Sequence, residues 1–482
     1  MSEAISPTMT GARSAPGAAY RAAEAWRVLR DAVRGAPMDL TAAPIGKALA
    51  TLAVPMIIEM IMESIFAVVD VFWVAHLGAG AVAAVGLTES MMMILYAIAM
   101  GVSIGAMALV ARRVGEKDLE GAGRTAAQGI VLGVAIAAVL GVAGALLAPQ
   151  LMRTMGADDA VIATGSGFTR VMLGCNASVF LLFLINAVFR GAGDAALAMR
   201  ALWLGNILNI VLGPCFIFGV GPFPALGVTG AAVATSIGRG TAVVYQLTML
   251  ARGRSKIAIA RKHFAIDLRV MTSVLRLAGS ATLQMLLVMT SYVGVMRILA
   301  SFGSEPLAGY TIGFRILMFA MLPASGLSNA AATLVGQNLG ARRPDRAEQS
   351  VWQACLVSAA FLSAVGIVFI AGARVLVGLF TQDAAVLDHG VTYLRIVSLG
   401  FPFYAFGMVV MQAFNGAGDT RTPTLINLVV FWALQLPLAW LLSHHTSLGA
   451  SGVFATLALC FSVFAAIGVA LFRRGGWKLA RV

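Results

Sequence analysis

The chain has 482 residues, 60% of them hydrophobic and only 11% charged, with 34 Lys and Arg against 21 Asp and Glu. A soluble domain carries about 25% charged residues, so water-soluble enzymes, disordered chains and nucleic-acid-binding domains are excluded together. Cys175, Cys215, Cys355 and Cys460 each lie in an apolar run with no CxxC pair, which points to packing rather than to disulfides or a zinc site.

In chain order, residues 1–46 form a basic tail. Arg13, Arg21, Arg27, Arg30 and Arg34 interrupt it and no apolar h-region is present, so it does not read as a secretory signal. Within it, Ala18 to Arg34 has the pattern of a basic amphipathic helix, with Trp26, Leu29 and Val33 on one side and arginines on the other. Such a helix suits an anionic leaflet; a solvated tail is the bland alternative.

Apolar runs of bilayer length follow near 48–75, 82–111, 125–147, 171–189, 201–219 and 227–251. A basic stretch at 252–276 separates them from runs near 277–301, 308–335, 351–373, 391–414, 423–443 and 448–472, and a short basic tail at 473–482 ends the chain. The runs are continuous rather than alternating, which favours helices over a barrel. The tail, the even-numbered loops and the C-terminus hold 27 Lys and Arg, whereas the odd-numbered loops hold only Arg153, Arg170 and Arg374. Basic loops stay cytoplasmic, so both termini are expected inside a plasma (bacterial inner) membrane, and the +13 net charge marks topology rather than nucleic-acid binding.

The chain repeats itself at an offset of 225 residues: Gly101 falls on Gly326, Gly115 on Gly340, and Phe189-Arg-Gly-Ala-Gly-Asp194 on Phe414-Asn-Gly-Ala-Gly-Asp419. The expected fold is therefore all-α and membrane-integral: twelve spans in two six-helix lobes, 47–251 and 277–472, related by a pseudo-twofold along the membrane normal. Transporters of this parallel kind place their sites near the midplane and rock one half against the other. The GAGD elements lack the Lys and Ser or Thr of a phosphate loop and read as tight turns, with Asp194 and Asp419 expected as N-caps.

Eight charged residues fall inside the runs, where a charge costs at least about 2.5 kcal/mol. Arg297 and Arg395 lie near the outer surface, while Arg239 and Arg315 lie deeper. Glu59, Glu63 and Asp70 share one helix face within about 40°. Three carboxylates so placed cannot all ionise cheaply, so one can take up and release a proton, and Glu89 in the second run can join them. The alternative is that they hydrogen-bond to neighbouring helices while protonated. The second half has Gln284, Val288 and Val295 at the equivalent positions.

These residues carry a resemblance. VGQNLG at 335–340 with its degenerate copy VARRVG at 110–115, the FRGAGD and FNGAGD elements, NILNIVLGPCFIFG at 206–219 and PALGVTGAAVAT at 224–235 together resemble the multidrug and toxic compound extrusion (MATE) family. The resemblance implies a secondary antiporter that exports amphipathic, often cationic organic compounds in exchange for protons or Na+, with no cofactor. It implies a cation-coupling site at Asp70, Asn209 and Thr235 supplemented by Glu63, accessory acid or polar groups at Glu59, Glu89, Gln284 and Gln412, and a bend at Pro55. Gly213 stands where many relatives have Asp. That removes a carboxylate and favours a proton over Na+, although Na+ at Asp70 and Asn209 is the other reading. Small-molecule substrates and membrane lipid are the expected partners of a monomer. A lipid or lipid-linked-saccharide flippase is the alternative within the same fold. The five histidines make no cluster with acids, so a membrane enzyme is not expected.

Overall fold

A computed structural model describes residues 18–480. Its helices are α1 (Ala18–Arg34), α2 (Ile45–Ala75), α3 (Ala79–Gly115), α4 (Leu119–Thr154), α5 (Asp159–Gly174), α6 (Asn176–Ala192), α7 (Ala195–Phe218) and α8 (Val228–Ala251) in the first half. The second half holds α9 (Leu268–Ala300), α10 (Ser304–Gly340), α11 (Pro344–Gly378), α12 (Ala384–Ser398), α13 (Phe401–Ala417), α14 (Arg421–His444) and α15 (Ala450–Arg473). Among the described residues nine helices are long and apolar enough to cross a bilayer, and the bent pairs α5–α6 (40°) and α12–α13 (59°) bring the number to eleven. The remaining span, α8, carries Thr235, Arg239 and Gln246, which dilute its hydropathy, and it packs closely along α7. Twelve crossings in two lobes result. Side chains such as Val139 (69% exposed) and Leu146 (71%) point outward, as a lipid-solvated surface requires.

The fourth and tenth spans differ from the expected single runs at 171–189 and 391–414. Each is a bent pair that begins a helix earlier. Thr164, Ser166 and Arg170, and likewise Asp388, His389 and Arg395, thin the apolar signal there. The starts are fixed by Asp158, which accepts from the Val161 amide at 2.7 Å, and by Asp383, which accepts from Ala385 at 2.9 Å. These two caps are 225 residues apart. The repeat reaches the backbone too: Lys117 (φ 63°) and Arg342 (φ 56°) share the left-handed region, as do Gly193 (φ 86°) and Gly418 (φ 87°) at the ends of α6 and α13.

The lobes meet at the end that carries the basic loops. The Gly115 and Gly340 surfaces there lie directly on the carbonyls of Gln337 and Arg112, leaving no room for a Cβ. Thr333 Oγ1 donates to the Arg190 carbonyl at 3.2 Å and Gln337 Nε2 to the Gly191 carbonyl at 2.9 Å. The VGQNLG and FRGAGD elements are thus two sides of one closure.

A strap, residues 35–44, crosses this closure. Lys256 Nζ donates to the Met38 carbonyl at 3.1 Å on the first lobe's side, and Arg343 Nη1 donates to the Thr41 carbonyl at 2.9 Å on the other. Arg346 donates to the carbonyls of Leu40 and Ala43. Leu40 is 2% exposed and belongs to the same buried core as Ala195, Val335 and Leu339. Asp194 does not cap α7 as expected. Its carboxylate instead accepts from Ser255 Oγ at 2.5 Å and the Lys256 amide at 2.7 Å, tying the inter-lobe segment down, whereas Asp419 does accept from the Thr422 amide at 3.1 Å. That segment is also shorter than 252–276, because Asp267 caps a helix that already begins at Leu268. Gln128 holds it through the carbonyls of His263 (2.7 Å) and Ala265 (2.8 Å).

Candidate functional site

The acidic stripe lies on α2, facing α6, α7 and α8 inside the first lobe. Glu59 is 1% exposed. Its Oε1 accepts from Asn186 Nδ2 at 3.0 Å and faces Arg190 Nη1 at 3.5 Å, and Gln246 Nε2 in turn donates to Asn186 Oδ1 at 2.6 Å. One turn on, Glu63 accepts from Asn206 Nδ2 at 3.0 Å and faces Arg239 Nη2 at 3.8 Å. Arg239 also reaches Tyr96 Oη at 3.4 Å and lies over the Phe66 ring at 5.7 Å from its centroid. Each of these acids therefore has both a guanidinium and an amide, the combination that makes a buried charge tolerable.

Asp70 is different. No hydrogen bond or ion pair to it is found among the described residues, and the charges whose fields reach it are those of Arg239 and Glu89. Asn209 Nδ2 donates to Thr235 Oγ1 at 2.7 Å, joining α7 to α8. Beside them a Cβ on Gly213 would sit 3.8 Å from Trp73 and 4.0 Å from Asn209 Oδ1, ordinary contact distances, so the missing carboxylate leaves room rather than a filled gap.

The remaining expected residues spread out. Glu89 is exposed on α3, with Arg315 the opposite charge whose field reaches it. Gln284 is buried in the second lobe, where its carbonyl accepts from Asn427 at 3.4 Å. Gln412 donates to Asn329 at 2.7 Å and accepts from Asn415 at 2.7 Å. Neither is bonded to a residue of the acidic stripe. Pro55 lies within an unbroken α2, against which Gly326 packs so closely that an added Cβ would lie 2.9 Å from the backbone of Met56 and Ile57. An apolar groove of about 530 Å³ lies between α2, α10 and α11, lined by Ala53, Ile57, Pro323, Leu327 and Phe361 among others, with no charged group in its wall.

Around the stripe, five polar partners are not among the residues singled out from sequence: Arg190, Asn186 and Gln246 about Glu59, and Asn206 and Tyr96 about Glu63 and Arg239. Arg190 sits just past the end of the 171–189 run, among the loop charges. The usable signal was the repeat, since Arg190 faces Asn415 at the same offset that sets Glu59 against Gln284: one half has an acid and a base where the other has two amides.

The MatE family pattern matches residues 55–215 and 281–441, one copy in each lobe. The chain belongs to the MatE family. It is therefore a membrane transporter of small molecules and not an enzyme. The probable multidrug resistance protein YoeA of Bacillus subtilis is 24% identical over 418 residues, covering 85% of this chain and 89% of its own length. A FAD transporter of Shewanella oneidensis is 26% identical over 412 residues, covering 84% and 90%. A solved outward-facing multidrug resistance MATE family transporter of the MOP superfamily superposes with a TM-score of 0.85 at 27% identity, covering 92% of this chain and 98% of that one. The two MatE copies fall on the two lobes, with the acidic stripe in the first copy alone.

Proposed function

We propose that this MatE-family chain is a proton-coupled antiporter that exports amphipathic, often cationic organic compounds or drugs, with Asp70 as the coupling carboxylate. The observation that carries the reading is the contrast along α2. Glu59 and Glu63 each face an arginine, while Asp70 has only Arg239's more distant field. A carboxylate without its own counter-ion binds a proton or an organic cation, but not both. Mutual exclusion of that kind is what an antiporter needs.

Na+ asks for several oxygen ligands at once, whereas a proton asks for one base. With glycine at 213, Asp70, Asn209 and Thr235 supply few oxygens, which favours the proton. A dinucleotide of the FAD kind is anionic and fits a site whose unpaired charge is a carboxylate poorly. Proton entry at 100 mV yields about 2.3 kcal/mol and each pH unit about 1.4 kcal/mol, enough to drive a cation outward when more than one proton moves or a pH gradient is present. Protein carrying its basic loops on the cytoplasmic side of a bacterial inner membrane would meet that gradient as a monomer, and Pro55 would be the hinge at which α2, continuous in this structure, bends during the cycle.

The test is counterflow in proteoliposomes with proton and Na+ gradients imposed separately. Uptake of a fluorescent organic cation should follow the pH gradient alone, and Asp70→Asn should lose it more than tenfold while keeping the thermal unfolding midpoint. Full transport by Asp70→Asn, or uptake driven by Na+ alone, would overturn the proposal.

A further inference from the structure

Helix α1 is not used by transport chemistry, yet its surface is divided into three sectors. Ala32 is 1% exposed against the body of the protein, while Trp26 (68%), Leu29 (41%) and Val33 (36%) are exposed. At 100° per residue these three fall in an arc of about 60°. Arg30, Arg34 and Arg27 follow on the side away from Ala32, at about 40°, 80° and 100° from Trp26, all exposed. The helix is pinned at its C-terminal end: Arg200 Nη2 donates to the carbonyls of Val33 (3.2 Å) and Arg34 (2.8 Å). Gly35 approaches Ala196, in the first turn of α7, where an added Cβ would lie 3.0 Å away. That turn opens α7 at the end of the bundle that carries the basic loops, so α1 lies against that end of the spans.

We propose that α1 docks in the plane of the membrane on anionic lipid, with Trp26, Leu29 and Val33 among the acyl chains and Arg27, Arg30 and Arg34 on phosphate-bearing headgroups. An apolar arc bordered on one side by protein and on the other by a basic row has the shape of a membrane interface: hydrocarbon continuous with the spans, then charge. Charge complementarity selects the anionic leaflet over an apolar protein partner, which would offer the exposed arginines no anion; among the described residues only Arg30 has one of its own, Asp31 at 3.7 Å, and that pair is itself exposed. The proposal concerns the membrane face at which α1 lies and holds whichever ion drives transport.

The experiment uses the full chain in liposomes of phosphatidylcholine, with and without phosphatidylglycerol. Brominated acyl chains should quench the part of the fluorescence that Trp26→Phe removes. Amide exchange across residues 26–34 should slow in phosphatidylglycerol by up to about a hundredfold, since each arginine near such a surface contributes about 1 kcal/mol. Joint R27Q, R30Q and R34Q substitution should erase that lipid dependence while keeping the quenching. These are exposed positions, and the unfolding midpoint checks that the fold is kept. Absence of quenching at Trp26 overturns the proposal, as does exchange that ignores phosphatidylglycerol, or protection that scales with protein-to-lipid ratio and so reports a second copy.

Discussion

The two lobes were built from one plan and now differ where it matters. On α2 the first lobe has Glu59, Glu63 and Asp70; on α9 the second has Gln284, Val288 and Val295. The scaffold around them is shared: the Asp158 and Asp383 caps, the left-handed Gly193 and Gly418, and indole donors from Trp203 to the Ile58 carbonyl (3.4 Å) and Trp432 to the Leu287 carbonyl (3.1 Å). Even the first-turn acids of α4 and α11 both face later segments, Glu120 binding Lys262 at 2.7 Å and Asp345 facing Lys478 at 3.6 Å. Duplication kept the turns and crossings that closure needs, while acid within the spans was confined to one lobe, where two arginines hold two of its carboxylates. At the corresponding stretch of α9 the polar contacts are neutral. Gln435 donates to Ser291 at 3.1 Å, and Ser291 donates at 3.0 Å to the Phe431 carbonyl in a stretch of α14 that winds as a π-helix.

The largest expected effect breaks that contrast at its deepest pair. Arg190→Met strands Glu59 without its cation and should cost about 3–5 kcal/mol in stability, read as a fall in the unfolding midpoint in detergent. Converting both residues to their second-lobe equivalents, Glu59→Gln with Arg190→Asn, should recover most of the loss. A double variant as unstable as the single one would show that the lobes are not interchangeable there.

Next in size, Gly213→Asp adds a second carboxylate beside Asn209. Without an ion the added charge should cost about 2.5 kcal/mol, and Na+ should restore the midpoint and make transport respond to a Na+ gradient. If neither responds to Na+, the empty space at 213 is not what sets ion choice.

Smaller effects separate chemistry from scaffold. Asn209→Ala and Gln435→Ala each remove one neutral hydrogen bond and should each cost about 1 kcal/mol. Only the first should slow counterflow. Equal transport by both would undo the assignment of chemistry to the first lobe.

The smallest effect is at the surface. Hydrogen bonds from Lys262 and then His263 hold Glu120 down at about 2. A lowered carboxylate pKa stabilises above its ordinary value and loses that contribution as pH falls through the folded one. The inter-lobe segment should therefore become more cleavable by pepsin as pH drops from about 4.5 toward 2, and Glu120→Gln should be cleavable throughout.

Most of the fold could be read from the chain because lipid is a strict solvent: runs long enough to span it, and loop charges that orient them, leave few alternatives. The bent spans were half visible, since Arg170 and His389 interrupt the apolar pattern of their first segments. The acidic stripe was legible from helical spacing. Its partners were less so, because Asn186, Arg190 and Gln246 come from helices distant in sequence, and only packing brings them to Glu59. The role expected of Asp194 failed for the same reason. A carboxylate before a helix reads as a cap, yet the returning segment at Ser255 and Lys256 offers it better donors.

The strap at 35–44 has a consequence for how the transporter rests. Its contacts bridge both lobes at the closed end, so every one of them that involves the opposite lobe must be given up before that end can open. If the bonds from Arg343 and Arg346 together favour closure by about 3 kcal/mol, they shift the resting population by about two orders of magnitude. The segment that precedes the first span then acts as a bias on which side of the membrane an idle transporter faces.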